Sequence, residues 1–352
     1  MATIQPKSRP VKNSNLKVAI FVALLLFTCF SYYFYQIFQT ANVDTKGREM
    51  YVRIPTGATY EQAMDSIESK GVIIDRLSFR FMGRLMDYDE LVKPGFYEIP
   101  DDASNYYFIR KLRAGEQVPV KVTFHNIRLK KDLANKLAEY IEADGEEIYA
   151  LLNDQEYVNS LGFDTTTIMS MFIPNTYEVY WTSTPKELLS RLNKEYQKFW
   201  TPERDAKAKA LGLSRAEVST LASIVEAETQ QNPEKARIAG VYLNRLKKNH
   251  PLEADPTLVF AAQDFTIKRV LNKHKETDSP YNTYRYAGLP PGPINVPSIA
   301  SLNAVLNYEK HDYFYFCARE DFSGYHNFAV TLNEHLRNAR IYHQALNKAR
   351  IL

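Results

Sequence analysis

The pattern of hydrophobic residues changes near residue 39, from one uninterrupted apolar run to apolar residues spaced among polar ones. Residues 18–38 form an uncharged apolar run, VAIFVALLLFTCFSYYFYQIF, which has about the length that crosses a bilayer. Residues 1–17 carry four basic residues and no acid, so this flank is expected in the cytoplasm. The pattern predicts a cytoplasmic tail over 1–17, a transmembrane anchor over 18–38 and a polar linker over 39–50. A cleaved signal peptide is the alternative, but no small-residue cleavage site follows the run.

Residues 51–118 alternate between strand-like and helix-like spacing of apolar residues. Thr59 and Gln62 form a capping box and predict a helix start. The pattern predicts a strand at 51–55, helices at 59–71 and 77–86, a strand at 92–99 and a helix at 104–114. Strand, helix, helix and strand in so short a span predict a small α+β domain over 51–118.

Residues 119–352 predict a second, larger domain of mixed helices and strands, so the whole chain is predicted to be α+β. Asn232 and Asp255 each precede a proline and are expected to cap two helices. Strands are predicted at 120–124 and 313–318, the latter buried, with an ordered aromatic segment at 172–180. Helices are predicted at 130–144, 146–152, 186–200 and 298–307, and from the capping pairs Ser214/Glu217 and Thr331/Glu334.

One helix of this domain combines a buried face with an acid. Its apolar residues recur at one helix face, at positions 218, 221, 224 and 225, and the next position on that face is Glu228. Glu226 projects away from the stripe. Burial raises the pKa of a carboxylic acid, so Glu228 is the candidate general acid. A solvated glutamate at the edge of a surface helix is the alternative interpretation.

A stretch rich in proline, glycine and tyrosine lies at 279–297 and reads SPYNTYRYAGLPPGPINVP. Its prolines and glycines exclude a regular helix or a central strand. A long, stiff, aromatic loop of this kind is typical of a binding surface. The sequence therefore predicts that this loop takes part in a functional site.

Composition narrows the class of function further. The formal net charge is +3 with well-mixed charges, and the chain has no basic aromatic motif that would indicate nucleic-acid binding. Cys29 and Cys317 lie far apart, so a disulfide between them is not expected. Cysteines and histidines lack zinc-site spacing, and the sequence predicts neither a metal nor a cofactor.

Together these motifs resemble the endolytic murein transglycosylase (YceG-like) family. The motifs are LASIVEAET at 221–229, NRL at 244–246, ADPT at 254–257, YNTYRYAGLPPGPI at 281–294, FYFCA at 314–318 and FIPNTYEVY at 172–180. Residues 51–118 resemble the LysM-like module that recognises peptidoglycan glycan. The chain departs from the family at Ser170 and Met171, where an acid and a glycine are common, and in the turn near residue 326.

The resemblance implies a peptidoglycan lytic transglycosylase on the cytoplasmic membrane, with its catalytic domain, residues 119–352, outside. Such an enzyme cuts the β-1,4 bond between N-acetylmuramic acid and N-acetylglucosamine inside nascent strands. It leaves a 1,6-anhydro end and limits strand elongation. Peptidoglycan synthases are candidate partners. A muramidase that hydrolyses the same bond and a non-catalytic peptidoglycan-binding scaffold are the alternatives.

Within the family motif, Glu228 matches the catalytic glutamate and needs no second carboxylate, because the sugar's own C6 hydroxyl attacks C1. The expected substrate-binding residues are Tyr281, Asn282, Thr283, Tyr284, Arg245 and Asp255. Asn282 is a candidate for holding the acetamido group, or else a turn residue of the loop. Asp255 is interpreted as a helix cap or a second acid. Arg245 is expected to meet a substrate carboxylate or to form a surface ion pair.

Overall fold

The computed structural model describes residues 14–267 and 269–349. The chain divides into two compact units, which meet in sequence at Pro119 and Val120. Both contain helices and short antiparallel strand pairs. The predicted α+β class is confirmed.

The first unit begins with the apolar helix and continues into a small α+β fold. Its elements are α1 (Ser14–Gln39), β1 (Ala41–Val43), β2 (Met50–Ile54), α2 (Tyr60–Glu68), α3 (Arg76–Leu85), β3 (Gly95–Ile99), β4 (Ala103–Ser104) and α4 (Asn105–Ala114). β1 pairs with β4 and β2 with β3, both antiparallel. The strand, helix, helix and strand expected over 51–99 are present, while the likeness to LysM stays a prediction.

Helix α1 is long and apolar enough to cross a membrane. The candidate span is Asn15–Gln39, and an 18-residue window of it has a mean hydropathy of 2.0. The stretch predicted as a linker has more structure than expected, because Ala41–Val43 forms a strand and Val43 is only 1% exposed. The apolar helix therefore runs directly into the folded part of its unit.

Side-chain caps set the helix ends of this unit. Thr59 and Gln62 form the expected capping box at the start of α2. Asp75 caps α3, and Ser104 caps α4, with side-chain oxygens that accept from backbone N–H groups. Gly115 ends α4 in the left-handed conformation, with φ of 76°, which a residue without a Cβ adopts at little cost.

The second unit is mainly helical. Its elements are β5 (Val120–Thr123), α5 (Lys130–Ala138), α6 (Gly145–Asn153), α7 (Gln155–Ser160), a 3₁₀ turn (Ile168–Met171), β6 (Thr176–Val179), α8 (Pro185–Phe199), α9 (Pro202–Leu211), α10 (Arg215–Glu228), α11 (Asn232–Lys247), α12 (Asp255–Ala262), α13 (Asn272–Lys275), α14 (Ile299–Leu306), β7 (Tyr315–Ala318), β8 (His326–Ala329) and α15 (Leu332–Ala349). β5 pairs with β6 and β7 with β8, both antiparallel. The long loop between α13 and α14 lies where regular structure was expected to stop.

Several local predictions for this unit were wrong. Helix α5 ends at Ala138, short of the expected residue 144. Asn232 and Asp255, the expected caps, are instead the first residues of α11 and α12. The N-cap positions are held by Gln231 and Ala254, and neither side chain makes a capping hydrogen bond. Strand β7 was expected to be buried, but it is half-buried along its whole length, because a two-stranded hairpin with β8 covers its strands less completely than a larger sheet does.

Helix α10 forms the centre of the second unit and packs against α11, α12 and α14. Ser214 and Glu217 make the expected capping box at its start. Every residue from Val218 to Val225 is buried, including the serines, the threonine and the alanine between the predicted apolar positions. The middle of the helix is therefore enclosed on all sides rather than along one stripe.

Candidate active site

Glu228 is the last residue of α10 and lies at its C-terminal end. The hydroxyl of Tyr242, on the neighbouring helix α11, donates a hydrogen bond to Oε1 of Glu228 at 2.6 Å. Tyr242 is 2% exposed, whereas Glu228 is partly exposed. The carboxyl is thus held by a buried neighbour, in a residue that keeps part of its surface exposed.

Crowding by protein atoms raises the pKa of Glu228 to about 7. The hydrogen bond from Tyr242 opposes this rise, the charge of Asp255 adds to it, and the charge of Arg245 opposes it. A carboxylate at a helix C-terminus also meets the negative end of the helix dipole. A carboxyl group with this pKa holds its proton near neutral pH and can also release it, which suits a general acid that later acts as a base.

Glu226 lies two residues away in a different environment. Its Oε2 accepts hydrogen bonds from Lys235 Nζ at 2.9 Å and from the hydroxyls of Ser298 and Ser301 at 2.5 Å each. Burial opposes ionisation here, but these donors and the Lys235 charge together lower the pKa of Glu226. Glu226 therefore stays ionised and joins α10 to α11 and α14. As the helical projection predicted, it lies off the apolar stripe, and its side chain is 24% exposed.

Tyr284 and Asp255 lie within the electrostatic reach of Glu228. The Tyr284 hydroxyl donates to Oδ1 of Asp255 at 2.6 Å, and the charges of Asp255 and then Glu228 contribute to raising the pKa of Tyr284, after burial. Asp255 is the first residue of α12 and is exposed. The structure thus brings Glu228, Tyr242, Asp255 and Tyr284 into one electrostatic cluster.

Asn282 and Thr283 are buried inside the loop, at 0% and 1% exposure. Asn282 Nδ2 donates to the carbonyl oxygens of Lys275 and Thr277, and its Oδ1 accepts from the backbone N–H of Tyr284. Thr283 Oγ1 accepts from the N–H of Ala254 at 3.1 Å. Asn282 therefore holds the backbone of its own segment, and Thr283 ties the loop to the start of α12, where its hydroxyl also meets that of Thr257. Neither side chain presents a polar atom to a substrate in this conformation.

Arg245 is likewise committed within the protein. It is 6% exposed, and its guanidinium lies 5.1 Å from the ring centroid of Tyr315. It donates to the carbonyl oxygens of Phe314, Pro251 and Leu252 and to Glu253 Oε2. These contacts hold the start of β7 beside the connection between α11 and α12. Tyr281, the remaining predicted residue, packs on Phe260 with ring centroids 4.7 Å apart and lies outside the electrostatic cluster.

The proline-rich loop is attached directly to α10. Ser223 Oγ accepts from the N–H of Ile294 at 3.0 Å, and the Ser223 carbonyl accepts from Asn295 Nδ2 at 2.9 Å. A Cβ on Gly292 would lie 2.2 Å from the carbonyl oxygen of Thr166, so only glycine fits there. The loop is therefore fixed to the helix that carries Glu228.

Tyr242, Ser223 and Lys235 take part in this arrangement but were not identified from the sequence. Tyr242 sits on the apolar stripe of α11 and resembled a core residue. Its polar hydroxyl on a buried stripe was the available signal, because a buried tyrosine hydroxyl usually finds a partner. Among residues 14–267 and 269–349, no group of three His, Cys, Asp or Glu side chains is placed to hold a metal ion.

Comparisons with known proteins agree with the motifs. The sequence model of the YceG-like family matches residues 52–341. The chain is 28% identical over 312 residues to a Bacillus subtilis protein named endolytic murein transglycosylase, covering 84% of this chain and 86% of that one. A Streptococcus pneumoniae serotype 2 protein of the same name is 24% identical over 339 residues, and the match covers 88% of this chain but 61% of that relative.

A solved structure shares the fold. The crystal structure of a yceG-like protein from Listeria monocytogenes aligns with a TM-score of 0.56 and 27% sequence identity, and it covers 82% of this chain and 98% of that chain. Because the family match spans most of its length, the chain belongs to the YceG-like family.

Proposed function

We propose that the chain is a membrane-anchored endolytic murein transglycosylase. The substrate is the β-1,4 bond between N-acetylmuramic acid and N-acetylglucosamine inside nascent glycan strands, and cleavage limits strand elongation. The observation that carries this proposal is the carboxyl of Glu228, whose pKa is raised to about 7 at a partly exposed position. Family membership and the names of the relatives support it.

Glu228 serves in turn as acid and base. The protonated carboxyl gives its proton to the glycosidic oxygen as the bond from that oxygen to C1 breaks. The resulting carboxylate takes the proton of the C6 hydroxyl of the same muramic acid residue, and O6 bonds to C1. The proton count balances, no water enters, and the product end is a 1,6-anhydro ring. Tyr242 donates its hydrogen bond most strongly to the ionised intermediate state of Glu228.

The remaining predicted residues divide into contact and positioning roles. Tyr284 and Tyr281 offer partly exposed rings on which sugar faces can stack. Asp255 holds the Tyr284 hydroxyl and raises the pKa of Glu228. Asn282, Thr283 and Arg245 act indirectly, because their polar atoms bind neighbouring backbone and keep the loop and β7 in place.

The two units have separate tasks in this proposal. Helix α1 crosses the cytoplasmic membrane once, with residues 1–17 in the cytoplasm and residues 119–352 outside as the catalytic domain. The basic flank supports this orientation. Residues 51–118 act as the LysM-like module that binds glycan, and peptidoglycan synthases are the candidate protein partners.

A muramidase is the second candidate, since Asp255 places another carboxylate near Glu228. A hydrolase uses a second carboxylate as nucleophile or as base for water. Asp255→Asn separates the two accounts. A transglycosylase keeps cleaving, with the high-pH decline of its rate moved to lower pH, because removing the Asp255 charge lowers the pKa of Glu228. The muramidase would be supported if Asp255→Asn lost all cleavage and if the unaltered chain released reducing ends rather than anhydro ends.

The decisive experiment digests purified peptidoglycan with the full chain and with Glu228→Gln, and then analyses the released ends by mass spectrometry. Anhydro-muramic acid ends from the unaltered chain alone support the proposal. A chain that binds glycan but creates no new ends would instead be the non-catalytic scaffold.

A further inference from the structure

An apolar stripe on the first unit is left uncovered by its own core. Leu77, Phe81 and Leu85 lie on the outer face of α3, with exposed fractions of 81%, 51% and 48%. Their four-residue spacing places them in one line along the helix. Ile74, just before α3, is 68% exposed and extends the line. A contiguous apolar surface of this kind indicates a binding partner.

Helix α3 lies against the apolar helix α1, which contacts both α3 and α4. Ile37, near the end of α1, is 5% exposed and belongs to the core of the unit. Its carbonyl oxygen accepts from Asn105 Nδ2 at 3.1 Å. Asn42 Oδ1 accepts from the N–H of Asp75, the capping residue of α3, at 2.7 Å. The stripe therefore begins beside the end of α1.

Aromatic residues surround the same point. The rings of Phe38 and Tyr106 stack with centroids 6.4 Å apart. Tyr106 and Tyr107, in the first turn of α4, are 44% and 46% exposed. Tyrosine side chains with one apolar and one polar end favour the boundary between lipid and water.

A basic line flanks the apolar one. Arg76, Arg80 and Arg84 each precede a stripe residue by one position. Arg80 and Arg84 also form ion pairs with acids of α2, and Arg76 is exposed. A helix with a buried face, an exposed apolar line and adjacent arginines has the composition of helices that lie in a membrane surface.

We propose that α3 lies on the membrane beside α1, with Ile74, Leu77, Phe81 and Leu85 inserted at the boundary between headgroups and acyl chains. This inference rests on the proposed role of α1 as a membrane anchor. The bilayer is the occupant, because α1 leaves it where α3 begins and because the exposed Arg76, at the start of the stripe, matches anionic headgroups. A second contact of this kind holds the first unit in one orientation against the membrane, at a fixed height.

Site-directed spin labelling of the full chain tests the proposal. Cys29→Ser and Cys317→Ser provide a background without cysteine, and one cysteine is then introduced at Leu77, Phe81 or Leu85. Each labelled chain is placed in nanodiscs of phosphatidylethanolamine and phosphatidylglycerol, with one chain per disc. Collision rates of the label with oxygen, which concentrates in lipid, and with a water-soluble nickel chelate are compared.

Two further label sites serve as controls. Leu25→Cys reports on the middle of α1. Arg113→Cys reports on the exposed far end of α4, about 10 Å along the helix axis from Tyr106. All these positions are exposed, and circular dichroism and thermal unfolding of each labelled chain, compared with the cysteine-free background, verify its fold.

Labels at the stripe and at Leu25 are expected to collide more often with oxygen than with the nickel chelate. The label at Arg113 is expected to collide more often with the nickel chelate than with oxygen. Lipid-like behaviour at Leu25 with water-like behaviour at the stripe overturns this inference and leaves the anchor intact. Water-like behaviour at both overturns the anchor as well. Protection of the stripe only in discs that hold two chains assigns it to a second copy of the chain and also overturns the inference.

Discussion

At the scale of single residues, two glutamates on one helix end differ in their partners. Glu226 meets an ammonium group and two hydroxyls, so its charged form is stabilised. Glu228 meets the hydroxyl of Tyr242 and the negative field of Asp255 in a crowded position, so its neutral form persists up to about pH 7. Helical spacing alone does not separate these environments. They follow from what α11, α12 and α14 place against each acid.

Glu228→Gln should abolish cleavage and stabilise the fold at alkaline pH. The folded pKa of about 7 lies above the ordinary value of 4.5. The folded state therefore binds more protons between these values, and stability is lost as the pH rises through about 7. The amide does not titrate, so the free energy of unfolding of Glu228→Gln should exceed that of the unaltered chain by up to about 3 kcal/mol at pH 8 and by little at pH 4. Thermal unfolding at both pH values measures the difference.

Glu226→Gln is the matched control for that measurement. It leaves Lys235, which is 3% exposed, without its countercharge. We expect a lower free energy of unfolding at both pH values, by about 2 kcal/mol. An equal rise in melting temperature at pH 4 and pH 8 for Glu228→Gln would contradict the raised pKa of Glu228.

Tyr242→Phe should slow cleavage and change its pH dependence. The lost hydrogen bond stabilised the ionised carboxylate, so its removal raises the pKa of Glu228 further. The decline of the rate at high pH, which reflects loss of the acid's proton, should move to higher pH, and the maximal rate should fall roughly tenfold. Rate measurements over pH 5–9 show both effects. Tyr308→Phe is the control, because it removes a hydroxyl bound to Lys247 and should leave the pH profile of the rate unchanged. An unchanged pH profile in Tyr242→Phe would show that Tyr242 does not influence the pKa of Glu228.

At the scale of elements, the site depends on how the proline-rich loop docks on α10. Ser223→Ala removes the acceptor of the buried N–H of Ile294. We expect the free energy of unfolding to fall by about 1–2 kcal/mol, and the cleavage rate to fall because the loop loosens.

Ser219→Ala makes the same change on the same helix. The hydroxyl of Ser219 is buried and has no hydrogen-bond partner among the described residues, so this variant should be neutral or slightly more stable. Equal effects of the two substitutions in denaturant unfolding would show that the docking contact contributes nothing.

Element boundaries followed from the sequence where side-chain chemistry sets them. The capping boxes at Thr59, Ser214 and Thr331 all appear, with reciprocal hydrogen bonds. Helix α9 was not predicted because most of its surface is polar and only Ala208 is buried, although Pro202 and Gly212 mark its ends.

The candidate site was predictable only in part. Glu228 and the loop could be located from spacing and composition. The hydrogen bonds from Asn282 and Arg245 to backbone carbonyls could not be predicted, because their partners are set by tertiary packing and not by neighbouring sequence. The same holds for Tyr242, whose hydroxyl meets Glu228 through the packing of α11 on α10.

At the scale of the molecule, the chain joins an apolar helix to a small α+β unit without a free linker. Val43 and Ile37 lie in the core of that unit. The second unit carries Glu228 at the end of a helix whose residues 218–225 are all buried. This buried stretch and the hydrogen bond from Tyr242 limit the motion of the acid, and a fixed acid favours reaction of a correctly placed glycan.

The central claim is that Glu228 alone performs both proton transfers, so that the sugar's own hydroxyl replaces water. Mass spectrometry of peptidoglycan digested in H₂¹⁸O tests this most directly. The account predicts new 1,6-anhydro-muramic acid ends without ¹⁸O, formed by the unaltered chain and absent with Glu228→Gln. New reducing ends that carry ¹⁸O, or anhydro ends that persist with Glu228→Gln, would contradict it.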